Sequence, residues 1–375
     1  MSIHGISSED LRIIRDILQS INNVCFFGSR TKGTYRKFSD LDICLKDKIS
    51  DYDYEILKEQ FEESDLPFTV DLVQYDYVND DFKKIIETQC IPAQKFLNLE
   101  QTMKSFTSKW NLTDIKKLKE QSPHTKNTIF SALKSNQPVI LKHIQVPHEY
   151  RNEKECLTYF NGDGCVKLLD YDDQKQVLLL EKIEPGTKLS TLFPQEDLLA
   201  TQIIAHLIKK LHQKAVEPSA FKSLPTIKSW LEKLNHFKGS QIPKDLLGQA
   251  QKLSHHLLQT QGKSYLLHGD LHHENILAKD EKWIAIDPKG VIGELAYECG
   301  AYLRNPIPDL LHQQNPQQIL KKRVSIFSKK LDIPTERILQ WNFVQAVLAT
   351  IWALEDKSDN LDYWLRIAHL LKNTF

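Results

Sequence analysis

The stretch 266–288, LLHGDLHHENILAKDEKWIAIDP, constrains the fold of this chain more than any other. Apolar runs at 265–267 and 283–286 bracket a polar turn carrying Asp270, Asn275 and Asp287, so two short strands are expected to hold three proton- and cation-handling groups around one point. Transfer of a phosphoryl group calls for that set. One carboxylate orients an attacking hydroxyl and takes its proton, while an amide oxygen and a second carboxylate hold the Mg²⁺ that neutralises charge on the moving group. Asp270 is the expected base, and Asn275 and Asp287 the expected metal ligands. Asp and Asn are also ordinary turn residues, but a turn alone does not require HGDLHHEN followed by AIDPKG. His272 and His273, next to the base, are expected to brace the loop by hydrogen bonding rather than to move protons.

These residues carry a resemblance. The run LHGDLHHENIL…WIAIDPKGVIGE…AY…LRNP resembles the aminoglycoside phosphotransferase superfamily, and within it the streptomycin 6-phosphotransferase and hydroxyurea phosphotransferase group. The likeness extends over nearly all of residues 100–375. It implies a bilobal, protein-kinase-like fold with a mostly helical C-lobe, ATP as co-substrate and a small-molecule hydroxyl as acceptor.

Composition narrows the alternatives. With 49 basic and 49 acidic residues the chain has no net field for nucleic acid or a membrane surface, so anion binding must be local. No apolar run approaches the ~18 residues of a membrane span, and MSIHGISSEDLR lacks the basic-then-apolar order of a secretion signal. A cytoplasmic protein is expected. Cys25, Cys44, Cys90, Cys156, Cys165 and Cys299 stand singly, with no close pair of the metal-site type, so free thiols are the simplest expectation. A chain of 375 residues calls for two or three domains.

The first domain is read over residues 1–97. Ser7 or Ser8 can cap a helix whose Leu11, Ile14, Leu18 and Ile21 repeat at helical spacing. A strand at 24–27 runs into Gly28, Ser29 and a basic loop at 30–37. The next strand carries Asp40 and Asp42 on one face. After a helix at 54–63, a strand at 68–73 sets Asp71 among apolar neighbours, where a buried carboxylate needs a partner. Two Mg²⁺ ions held by Asp40, Asp42 and Asp71 would supply it, activating a hydroxyl and binding a nucleoside triphosphate. Gly28 lets phosphate approach the backbone and Ser29 can donate to it. GSRTKGTYRKFSDLDICL with the later VDLV resembles the minimal nucleotidyltransferases of the DNA polymerase β-like fold, a mixed sheet with helices. That resemblance implies transfer of a nucleotide, usually AMP, to a hydroxyl. Arg30, Lys32 and Arg36 then lie near the phosphates, or else belong to a solvated basic loop.

Residues 98–111 are read as a connecting segment and 112–375 as the kinase-like domain, with an N-lobe over about 112–184 and a C-lobe over about 185–375. The whole is an α+β chain of two domains. A helix at 114–121 precedes a β-hairpin, 127–133 and 139–144. By the kinase resemblance this hairpin covers ATP: Lys142 pairs the phosphates, and Glu153, on a helix at 149–160, holds Lys142, with Glu155 as competitor. The hairpin turn lacks glycine, so phosphate contacts fall to Ser122, Thr125 or backbone amides. Helices are expected at 197–214, 226–237, 244–261, 316–331 and 336–375, the last broken near Asp356. Glu355, Asp356, Asp359 and Asp362 form an acidic patch that suits a cationic acceptor or simply lines a solvated loop. Two further readings stay open. One is a regulatory enzyme whose nucleotidyltransferase domain AMPylates a protein, itself or a toxin partner. The other is a nucleotide-binding sensor without turnover, against which the complete acidic sets at both sites argue.

Overall fold

A computed structural model of the chain describes residues 6–32, 34–36, 39–118, 127–356, 358, 360–372 and 374. They fall into two compact units, Met1–Gln145 with Asp170–Lys182, and Val146–Leu169 with Ile183–Phe375.

The first unit opens with α1, Ser8–Leu18, closed by a reciprocal cap: the Asp10 amide donates to the Ser7 hydroxyl at 3.1 Å and the Ser7 amide to the Asp10 carboxylate at 2.7 Å. Strand β1, Val24–Phe27, runs straight into the helical turn α2, Gly28–Thr31. Strands β2, Leu41–Leu45, and β3, Val70–Gln74, run parallel through the crossover helix α3, Asp51–Glu62. Helix α4, Asp80–Gln89, leads to the short β4, Ile91–Pro92, and the sheet order is β3-β2-β1-β4. One face of the sheet buries Phe26, Ile43 and Leu45 against Leu11, Ile14, Leu57 and Phe61. The other carries a smaller cluster of Cys25, Phe27, Cys44 and Ile86. There the structure departs from the expectation of free thiols: Cys25 and Cys90 form a disulfide, with Cα atoms 5.7 Å apart across 65 residues of sequence. The pairing arises because β1 lies beside β4, a long-range contact that cysteine spacing does not carry. The other four cysteines are free and buried.

Helix α5, Ala93–Trp110, takes up most of the segment expected to be a connection. Its first turn places Phe96 and Leu97 in the core of the first sheet, and its last turn places Phe106 and Trp110 in the core of a second. Asn111 ends it in the left-handed region, φ 51°. Strand β5, Leu112–Lys117, comes next, where the sequence suggested a helix at 114–121. Asp114 at φ 52° is incompatible with a helix, and β6, Thr128–Lys134, provides a strand partner that sequence periodicity does not reveal. Ser122 and Thr125 lie outside the described residues. The hairpin is as expected: β6 returns through Ser135 and Asn136, both at positive φ (49° and 62°), into β7, Gln137–His143. Strands β8, Leu168–Asp172, and β9, Val177–Glu181, complete a sheet of order β5-β6-β7-β9-β8. The end of α5 is tied to β8 by Trp110 Nε1 on Asp170 at 2.9 Å and Lys109 on Asp172 at 2.8 Å.

The second unit contains α6, Pro147–Phe160, then β10, Pro185–Lys188, and three helices: α7, Asp197–Leu211, α8, Ile227–His236, and α9, Lys244–Gln259. Two small sheets come after them. Strand β11, Tyr265–Leu267, precedes the hairpin of β12, Ile276–Lys279, and β13, Lys282–Ala285; β14, Val291–Gly293, comes next. The two expected strands at 265–267 and 283–286 are present but do not pair with each other. β11 pairs with β14, while β13 pairs with β12, because the intervening segment contains a strand and a turn of its own. The polar loop is therefore held between two sheets. Helices α10, Leu295–Leu303, α11, Pro316–Leu331, α12, Thr335–Glu355, and α13, Leu361–Lys372, close the unit, with α12 buried over most of its surface. Among the described residues no helix is long and apolar enough to cross a membrane.

Candidate functional site

The loop after β11 is organised by His268, which no sequence motif singled out. Its ring is fully buried; Nε2 lies 2.8 Å from the Ile286 carbonyl and Nδ1 3.3 Å from the Asp270 amide nitrogen. A carbonyl only accepts and an amide only donates, so the proton sits on Nε2 and the ring is neutral. Burial agrees, holding the imidazole below its usual basicity against the pull of Glu298 and Asp270. His268 thus joins the segment carrying Asp270 to the segment carrying Asp287. Two further bonds repeat the link, from the Lys289 amide to the His268 carbonyl at 2.8 Å and from the Ile286 amide to the Asn275 carbonyl at 2.9 Å.

Those bonds position the three expected groups. Asn275 Nδ2 donates to the Asp270 carbonyl at 2.9 Å, which commits its nitrogen and leaves Oδ1 as an oxygen donor. The Asp270 side chain keeps 37% of its surface exposed, and His272 Nε2 lies 3.7 Å from its carboxylate. Asp287 is half-buried at φ 60°. Beneath the loop, Glu298 of α10 accepts from the His268 amide at 2.6 Å and the Gly269 amide at 3.0 Å, and lies 3.1 Å from His212, the residue that follows α7. Burial alone would raise this carboxyl; His212, His268 and the Gly269 amide hold it below the usual carboxylate range. His273 supports the loop as expected. Fully buried, it stacks on Tyr302 at 4.1 Å and faces Arg323 at 3.5 Å, and Arg323 is itself bound to Asp197 at 2.6 Å. Burial, then Arg323, keeps His273 neutral.

Most of the other expected residues are buried or already partnered. Lys142 is 4% exposed on β7 and Glu153 6% exposed on α6. Glu155 is less buried and bonded to the Ser223 hydroxyl. The acidic patch offers little free charge: Glu355 is bound to Lys233 at 2.5 Å, Asp362 lies 3.8 Å from Arg366, and Asp359 is outside the described residues.

The second candidate site is on the first unit. Asp42 and Asp71 are direct partners on the parallel strands β2 and β3. Burial, then the charges of Asp71 and Asp40, push the Asp42 carboxyl up to about 6. Asp71 is exposed, correcting the buried position suggested by its apolar neighbours, because β3 is the edge strand. Asp40 precedes β2 and accepts from the Thr69 hydroxyl. Gly28 sits at φ 79°, and a Cβ there would overlap the Asp42 carboxylate. Ser29, half-buried, is next in α2. Arg30 does not face phosphate: it is fully buried, donating to the Ser39 carbonyl at 2.6 Å and lying 4.0 Å over the Phe68 ring. Lys32 and Arg36 remain exposed.

Among the described residues no group of three or more His, Cys, Asp or Glu side chains is placed to hold a metal ion. Mg²⁺ does not demand one, since one or two protein oxygens beside phosphate and water suffice. Asn275 Oδ1 with Asp287 meets that description. So does the Asp42–Asp71 pair, whose mutual repulsion a cation would relieve.

Comparison with known proteins gives two matches along the chain. A family described as aminoglycoside/hydroxyurea antibiotic resistance kinase matches residues 117–357, and a nucleotidyltransferase domain family matches residues 11–93. Streptomycin 6-kinase of Streptomyces griseus is 26% identical over 205 residues, 53% of this chain and 66% of that protein, just under two thirds of its length. The N-terminal part is 39% identical over 95 residues to a probable protein adenylyltransferase, MntA, of Haemophilus influenzae, covering 24% of this chain and 83% of that one. In fold, the chain is similar to choline kinase LicA of Streptococcus pneumoniae, with a TM-score of 0.53 at 16% identity over 74% of this chain and 98% of the other.

Proposed function

Since the chain belongs to the aminoglycoside/hydroxyurea antibiotic resistance kinase family, with a nucleotidyltransferase-family domain ahead of it, we propose that it phosphorylates a hydroxyl of a small antibiotic-like molecule with ATP. The observation that carries this reading is the double tether of the Asp270 loop, through His268 to Ile286 and through Asn275 to the Asp270 carbonyl. Asp270 orients the acceptor hydroxyl and takes its proton as the oxygen attacks the γ-phosphorus; the bond to the β-phosphate oxygen breaks and ADP leaves with the electron pair. Asn275 and Asp287 would hold Mg²⁺, which when bound neutralises charge on the transferring group. Lys142 keeps its assignment as phosphate ligand and Glu153 its assignment as support, with residues 1–97 and 112–375 as the two domains. ATP supply places the enzyme in the cytoplasm.

In the first domain Asp40, Asp42 and Asp71 would hold the cation, and Gly28 and Ser29 would receive the triphosphate for AMP transfer. The likeness of this part to a probable protein adenylyltransferase favours a protein as its target. The test is a pair of labelling experiments. With γ-labelled ATP, Mg²⁺ and a panel including streptomycin and hydroxyurea, label moves to a small molecule and Asp270→Ala abolishes it. With α-labelled ATP, label moves to protein and Asp42→Ala abolishes it. Label reaching the small molecule at the wild-type rate in Asp270→Ala would overturn the assignment.

A further inference from the structure

The loop that carries Asp270 has no lysine or arginine of its own anywhere in residues 268–276. Phosphoryl transfer nevertheless spreads negative charge over the oxygens of the moving group, and preorganised donors aimed at that charge are among the largest contributions to catalysis. Several cations around the loop are committed elsewhere. Lys188 is bound to Glu274 at 2.5 Å, Arg323 to Asp197 at 2.6 Å, and Arg304 is buried and donates to Gln345 at 2.8 Å. Lys289 is different. It is exposed, and among the described residues its ammonium has neither an ion pair nor a hydrogen bond.

Its backbone, by contrast, is fixed beside the base. Leu267 at the end of β11 pairs with Val291 at the start of β14, so the antiparallel register continues to set Lys289 opposite Gly269, the residue before Asp270. The Lys289 and Gly290 amides both donate to the His268 carbonyl, at 2.8 and 3.2 Å. Lys289 Cβ lies 3.5 Å from where a Cβ on Gly269 would stand. Asp287 is two residues back along the chain. The turn between Asp287 and β14 is shaped by two left-handed residues, Asp287 at φ 60° and Gly290 at φ 71°. A Cβ on Gly290 would stand 3.2 Å from the Asn152 carbonyl and the Cys156 sulfur of α6, so the turn is packed on its inner side. A free ammonium on a flexible four-carbon stem therefore starts from a rigid point between the base and a metal ligand. An ordinary surface lysine needs no such mounting.

We propose that Lys289 is a catalytic residue of phosphoryl transfer, donating to the γ-phosphoryl oxygens as the group moves. This rests on the reading of Asp270 as base. Asp270 takes the acceptor's proton, the acceptor oxygen bonds to phosphorus, and ADP leaves with the electron pair, while Lys289 keeps its protons throughout. The test is steady-state kinetics of the full-length protein with ATP and Mg²⁺. Streptomycin is one acceptor and water, read as ATP hydrolysis, is the other. Lys289→Met is expected to lower kcat about 10²–10³-fold in both reactions, with KM for ATP and streptomycin within about threefold of wild type. Lys289→Arg is expected to recover about tenfold or more of that loss, and neither change should move thermal unfolding, because the side chain is exposed. Wild-type kcat in Lys289→Met, with Asp270→Ala inactive, overturns the proposal and leaves the base standing. A raised KM for streptomycin with kcat retained assigns Lys289 to the acceptor and overturns it as well. A loss of kcat that Lys289→Arg does not recover and that comes with a lower unfolding temperature marks a structural role, again overturning it. Full activity of Asp270→Ala overturns instead the reading of the loop on which the proposal rests.

Discussion

Around Asp270 the neighbouring backbone is committed: its carbonyl is held by Asn275, its amide by His268, and the two preceding amides by Glu298. Around Asp42 no comparable scaffold exists among the described residues; strand register brings Asp71 alongside, Gly28 makes room, and the repulsion between the carboxylates stays in the fold. The first centre is built by hydrogen bonds that hold without a ligand. The second is built by crowding of like charge, which a bound cation relieves. The same chemical group therefore plays opposite energetic parts: the buried Glu298 carboxylate stabilises the fold when ionised, and that of Asp42 destabilises it.

Exchange of function between the centres would break this comparison most sharply. Asp270→Ala should lower phosphoryl transfer by about 10²–10⁴-fold and leave AMP transfer unchanged, with Asp42→Ala doing the reverse; separate assays with γ- and α-labelled ATP read both. Next in size, Glu298→Ala should destabilise the second unit by about 3–5 kcal/mol in urea unfolding, because it strands two buried amides and His212. Because the folded state depresses the Glu298 carboxyl, its contribution is full above the unfolded value, about 4.3, and is lost as pH falls through the folded value. Gly28→Ala should cost the first unit about 1–3 kcal/mol, through positive φ and overlap with Asp42.

Smaller effects sharpen the contrast. Asp42 titrates near 6, above its unfolded value, so the first unit should lose stability as pH rises from about 4 through 6. Asp42→Asn should remove that slope and raise stability by about 1 kcal/mol at pH 7.5, and Mg²⁺ should stabilise the wild type more than the variant in thermal unfolding. Smallest of all, Glu155→Gln should change the KM for ATP by less than about twofold, whereas Glu153→Gln should change it by about tenfold, ~1.4 kcal/mol.

Local chemistry was legible in the sequence wherever spacing alone carries it. The cap at Ser7, the hairpin around Ser135, and helices α7 to α9 are set by local pattern, and the structure has them at or within a few residues of the expected places. The residues Asp270, Asn275 and Asp287 were equally plain, since their types and order suit one chemistry. What the sequence concealed depends on contacts between distant segments. Strand β5 exists because β6 is beside it, the Cys25–Cys90 bond because β1 meets the end of α4, and the role of His268 because Ile286 returns to accept its proton. Arg30 was misplaced for a related reason: a basic residue in a glycine-containing loop reads as a phosphate ligand until Phe68 and the Ser39 carbonyl are seen to enclose it. The exposure of Asp71 required knowing that β3 is an edge.

Mass spectrometry of an antibiotic panel after incubation with the full-length protein, Mg²⁺ and ATP carrying ¹⁸O in its γ-phosphate tests the central claim most directly. A phosphoryl group bearing that label on a hydroxyl of one compound, absent with Asp270→Ala and retained with Asp42→Ala, is the predicted result. A labelled product formed equally by Asp270→Ala, or one formed by wild type and lost with Asp42→Ala, would contradict the assignment of phosphoryl transfer to the loop that His268 holds.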